Sequence, residues 1–99
     1  MIVVSQDGKK MCTYFQFELV PMNEHNVYVP DWEIEEFGKE NVVAYYAIIH
    51  NNVDIIYAKY DTEDEAKDHW NNLIQACRNH ASYFRFRDRS IDELIYISN

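Results

Sequence analysis

The sequence predicts an α+β fold: an antiparallel sheet of about four to six strands packed on one long helix, with a short helix near the C-terminal end. Three observations carry that expectation. Val42 to His50 and Val53 to Tyr60 are rich in β-branched and aromatic residues and are separated by Asn51-Asn52. Ile2 to Ser5 and Met11 to Val20 flank Asp7-Gly8, a pair that tolerates the positive φ of a tight turn. Thr62-Glu63-Asp64-Glu65 has the form of a helix-opening capping box and precedes a stretch of helical period. At 99 residues the chain is sized for one domain, spanning residues 1–99. Such a domain buries roughly two-thirds of its unfolded surface and holds a core without staples.

The elements follow in order. With Asp7-Gly8 at the turn, Val4 pairs with Met11 and Ile2 with Thr13, and these pairs are expected on the core face. The return strand alternates, with Met11, Thr13, Phe15, Phe17 and Leu19 on one side. Val27-Tyr28-Val29 reads as a short edge strand ended by Pro30. Residues 31–37 read equally well as a helical turn opened by Asp31 and closed by Gly38, or as a strand. The Asn51-Asn52 hairpin pairs Ile48 with Ile55 and Tyr46 with Tyr57 on one face, and Ala47 with Ile56 and Tyr45 with Ala58 on the other. The main helix lines up Ala66, Trp70, Leu73, Ile74, Cys77 and Ala81 on its apolar stripe. The small Ala47 and Ala58 make their sheet face the expected seat for it. Tyr83 to Arg87 then reads as a strand with Phe84 and Phe86 inward. Ser90-Ile91-Asp92-Glu93 repeats the capping pattern and opens the short final helix.

Composition narrows the function. Seventeen acidic against nine basic residues give a net charge of −8, which opposes direct binding to nucleic acid or to anionic membrane. The two cysteines, Cys12 and Cys77, form no clustered motif, and the chain opens without a basic or long apolar leader, so a reduced cytoplasmic setting is expected.

Met1-Ile2-Val3-Val4-Ser5-Gln6-Asp7-Gly8-Lys9 resembles the opening of a family of small, mostly uncharacterised proteins of Gram-positive bacteria and their phages. Tyr60-Asp61-Thr62-Glu63-Asp64-Glu65-Ala66-Lys67 is similar to a second block of that family, at a strand-to-helix junction. The resemblance implies a sheet-plus-helix fold and a phage or mobile-element setting, with the host cytoplasm as the site of action. It attaches no activity.

Chemistry has little support in the residue pattern. Cys77 and His80 lie one turn apart on the helix, but Cys77 falls on the apolar stripe and His69 is too distant to share an ion with His80. No metal or cofactor site is therefore assigned. Cys12 with His25 or His50 would need tertiary contact to act as a nucleophile and base. With only Gly8 and Gly38 there is no phosphate loop. No catalytic residue is assigned.

The interaction candidates are stronger. Tyr46, Ile48, Ile55 and Tyr57 form an apolar sheet face that one helix cannot cover together with the opposite face. All four arginines lie between positions 78 and 89, and Arg85, Arg87 and Arg89 would project together from a strand. The acids fall in two clusters, Asp31 to Glu40 and Asp61 to Asp68, in which Glu33, Glu35, Glu36, Glu63 and Asp64 are candidate contacts. Solubility and helix capping explain them, and so does imitation of a phosphate backbone. The resulting expectation is a non-enzymatic protein-interaction module: a phage-borne stoichiometric inhibitor or regulator of a host nucleic-acid-handling protein, of anti-defence or anti-CRISPR type. Its alternatives are a homodimeric accessory protein and, third, a small hydrolase or metal-dependent enzyme.

Overall fold

The computed structural model describes residues 1–13 and 16–87. They form an α+β structure with two three-stranded sheets instead of the single larger sheet expected from sequence. The first sheet has the order β2-β1-β6, from Ile2–Val4 (β1), Met11–Cys12 (β2) and Tyr83–Arg85 (β6). The second is β3-β4-β5, from Phe17–Met22 (β3), Tyr45–His50 (β4) and Asn52–Tyr60 (β5). Helices α1 (Asp31–Phe37) and α2 (Lys39–Val42) lie between β3 and β4, and α3 (Glu63–Arg78) follows β5. The expected C-terminal helix, opening at Ser90, lies outside the described residues, as does Arg89.

The first hairpin keeps its expected register, with Val4 opposite Met11 and Val3 opposite Cys12. Its loop is built by side chains. Asp7 Oδ1 accepts hydrogen bonds from Ser5 Oγ and from the Lys9 amide, and Gly8 takes φ 76°. The Ser5 hydrogen bond is the main reason that the Asp7 carboxyl titrates below its ordinary value. The core face, however, is the opposite one. Val3 is fully buried and Cys12 half-buried, while on the expected face Val4 is buried at 8% exposure but Ile2 is 40% and Met11 71% exposed. Ile2, Val3 and Val4 are apolar on both sides, so local alternation cannot set the phase. A distant partner does: β6 runs parallel to β1 and places Phe84 opposite Val3.

The strand expected from Met11 to Val20 is likewise divided. β2 ends at Cys12, and β3 begins at Phe17 in the other sheet. β3 carries apolar groups on both faces. Phe17 and Leu19 enter one core cluster, Val20 and Met22 the other. Val27 to Val29 contributes only a bridge between Tyr28 and Met22. At residues 31–37 the open choice resolves to helix, with Gly38 at φ 88° and its amide on Ile34 O. Asp31 lies in the first turn, and Pro30 occupies the cap position.

The β4–β5 register also differs from expectation. Tyr46 pairs with Tyr60, Ala47 with Lys59 and Ile48 with Ala58. One step along β4, from Ile48 to Ile49, spans Ala58 to Ile56 on β5, which makes Tyr57 an extra residue; a larger irregularity follows toward Asn52. The turn needs only Asn51 at positive φ, 62°. Because of the bulge, Tyr57 and its neighbour Ala58 both enter the same cluster.

That cluster is the main core. It joins Val3 and Phe86, Phe17 of β3, Tyr46, Ile48, Tyr57, Ala58 and Tyr60 of the second sheet, and Ala66 and Leu73 of α3. The helix starts as its sequence signals, with Thr62 Oγ1 accepting the Glu65 amide at 3.2 Å. Its seat is the Tyr46/Ile48 face, whereas Ala47 lies in the second cluster with Val20, Met22 and Ile49. The most buried helix line is Ala66, His69 and Leu73, with Trp70 and Ile74 half-buried beside it. His69 is stacked on the Tyr60 ring, with centroids 4.5 Å apart. Cys77, expected on the buried stripe, is exposed.

Candidate interaction surface

The apolar face expected to be spare is instead largely core. Tyr46, Ile48 and Tyr57 are 7%, 0% and 4% exposed, and only Ile55 reaches solvent. Burial, reinforced by a hydrogen bond with Cys12, pushes the Tyr57 hydroxyl up to about 12, so it stays protonated at neutral pH. The ring of His50 lies 5.6 Å from that of Tyr57 and 4.9 Å from that of Phe17. Cys12 and His50 therefore meet the same aromatic cluster, as packing groups around Tyr57. Among the described residues no group of three or more His, Cys, Asp or Glu side chains is arranged to hold a metal ion.

The arginine strand is partly as expected. Phe84 and Phe86 turn toward the core, and Arg85 and Arg87 are exposed. Arg85 also makes an internal contact, since its Nη2 donates to Gln6 O at 3.5 Å and its guanidinium lies over Gly8. Arg87 anchors through its backbone, whose carbonyl accepts from Tyr60 Oη at 2.7 Å and from Gln6 Nε2 at 3.2 Å.

The two acidic segments, distant in sequence, are linked by one ion pair. Lys39 at the start of α2 donates from Nζ to Glu63 Oε1 in the first turn of α3, at 3.0 Å, and Lys67 approaches the same oxygen at 3.5 Å. The Lys39 hydrogen bond is the chief reason that the Glu63 carboxyl titrates below its ordinary value. Glu63 thus serves as an internal tie, while Glu35, Glu36, Glu40, Asp64 and Asp68 are exposed.

Sequence reasoning missed the aromatic part of this surface. α1 buries none of its residues completely; Trp32 is 61% and Phe37 52% exposed. Helical spacing puts Glu35 and Glu36 on the same side as Trp32, three and four positions on. Glu33, by contrast, lines a cleft of about 390 Å³ that it shares with Asn23, Glu24, Asn41, Val42 and Val43. The turn forming one wall is fixed by Asn23, whose Oδ1 accepts from the amides of His25 (2.8 Å) and Val27 (3.0 Å). A signal for the surface did exist: two large aromatics in a seven-residue stretch otherwise dominated by acids.

No helix among the described residues is long and apolar enough to cross a membrane. No protein-family model, curated protein or solved structure matches the chain.

Proposed function

We propose that the chain is a non-enzymatic protein-interaction module whose acidic side occupies a nucleic-acid-binding groove on a larger protein. In its concrete form it is a phage-borne stoichiometric inhibitor of anti-defence type, acting in the host cytoplasm. The observation that carries this reading is the link between two acidic segments across the Lys39–Glu63 contact, in a chain of net charge −8. Exposed carboxylates spaced over adjoining helix ends offer a basic groove what phosphates offer it, and the charge that attracts the groove repels nucleic acid itself.

The test is kinetic. A partner captured from host lysate should bind with an affinity that falls steeply with salt. Neutralising Glu35, Glu36 and Asp64 to their amides should slow association more than it speeds dissociation, because charges at an interface rim mainly steer encounter. An affinity indifferent to salt and to these substitutions would remove the proposal. One observation favours the homodimer alternative. Ile2, Met11 and Tyr83 lie on the outer face of the first sheet, where Ile2 pairs with Tyr83, and Tyr83 is 55% exposed. Sedimentation of the wild type against Met11→Glu decides that question.

A further inference from the structure

We propose that α1 and the cleft beside it form a site that reads arginine side chains on the partner. The inference rests on the charge-based reading above and names the chemistry that the acidic side selects. Two features point to a guanidinium rather than to positive charge in general. The first is the exposed indole of Trp32, with the carboxylates of Glu35 and Glu36 on the same side of α1. A planar guanidinium stacks its face on an indole while its edge donates to carboxylates, which the compact, strongly hydrated ammonium of lysine does not do equally well. The second is the cleft of about 390 Å³, in which Val42 and Val43 supply an apolar wall and Glu33 a carboxylate, while Glu24 at the rim lies 3.4 Å from His25 Nε2. An arginine offers an aliphatic stem to the first and a fork of donors to the second.

The partner is thus a protein presenting two or more arginines from a basic groove. Charge complementarity selects that occupant: the exposed aromatic is bordered by carboxylates, and the net charge of −8 disfavours a second copy despite its exposed Arg85 and Arg87. The geometry also gives Trp32 a reason to stay outside the core. Trp32 is in neither buried cluster, and an aromatic set among charges is the usual anchor of an interface.

The test compares an oligoarginine with an oligolysine peptide of equal length, each dye-labelled, by fluorescence anisotropy. The proteins are the full wild-type chain and its Trp32→Ala, Trp32→Phe and Glu33→Gln variants. Wild type should bind oligoarginine about three- to tenfold more tightly than oligolysine, the range expected when stacking on an exposed aromatic is added to charge. Trp32→Ala should erase that ratio while leaving the weaker charge-driven binding, Trp32→Phe should restore part of it, and Glu33→Gln should weaken the arginine peptide more than the lysine one. Equal affinities in the wild type, or a ratio that survives Trp32→Ala, would overturn the arginine site and leave the charge reading standing. Failure of both peptides to bind would overturn both.

Discussion

Replacing Gln6 by alanine should weaken the fold far more than its surface position implies. β5 is an edge strand, and the Gln6 side chain acts there as a one-residue substitute for the missing next strand. Its Nε2 donates to Lys59 O at 3.2 Å and its Oε1 accepts from Lys59 N at 2.8 Å. Its backbone amide donates to Tyr57 O at 2.7 Å, and Nε2 also reaches Arg87 O at 3.2 Å. One residue therefore ties the first hairpin to the second sheet and to the chain leaving β6. Alanine keeps the backbone bond and removes the other three. Each is worth about 0.5–1.5 kcal/mol net, and water reaches this edge, so the expected loss is about 1–3 kcal/mol. Urea unfolding followed by fluorescence should show a midpoint lower by about 1 M at an unchanged slope of order 1–3 kcal/mol/M. Gln6→Glu, which keeps an acceptor but sets a carboxylate against two carbonyl oxygens, should lose at least as much. Wild-type midpoints for both variants would refute the claim that this side chain holds the sheets together.

Further outcomes follow from the core and the titrating groups. Leu73→Ala should cost about 2–5 kcal/mol in equilibrium denaturation, because Leu73 is fully buried between α3 and the sheet. Tyr46→Glu should unfold the domain, since it places a charge in the core, while Ile55→Glu should leave circular dichroism and unfolding midpoint close to wild type. The depressed Glu63 carboxyl stabilises the fold fully above its ordinary value of 4.5 and loses that contribution as pH falls through its lowered value. Glu63→Gln should therefore flatten the acid limb of a stability–pH profile. Tyr57 has the opposite sign: its hydroxyl is raised, so its contribution is whole below about 10 and is lost as pH rises toward about 12. Absorbance titration should find a tyrosine ionising well above the ordinary range, at about 12.

The local signals in the sequence were reliable where the physics is local. Thr62 caps α3, Gly38 ends α1, the Asp7-Gly8 loop holds Val4 opposite Met11, and Phe84 and Phe86 turn inward. What was not legible depends on distant partners. The inward face of β1 is chosen by β6, from the far end of the described chain, with Ile2 opposite Tyr83. The Tyr57 bulge breaks the alternation of β5 and brings Tyr57 into the main core beside Ala58, while Tyr46 and Ile48 of β4, which read as a spare face, form the seat of the helix. His69 looks polar in a hydrophobic pattern yet is 1% exposed, because the Tyr60 ring supplies a stacking surface for it. In the candidate site the acidic residues were legible as charge. Their link through Lys39 and Glu63, and the exposure of Trp32, required the tertiary structure.

If the acidic side takes the place of nucleic acid on its partner, a displacement titration will show it. The captured partner is first loaded with a fluorescent oligonucleotide that it binds, and the wild-type chain is then added at fixed salt. Wild type should release the oligonucleotide stoichiometrically, the Glu35→Gln, Glu36→Gln, Asp64→Asn variant should release it poorly, and the chain alone should not bind the oligonucleotide. A ternary complex in which protein and oligonucleotide remain bound together would contradict it.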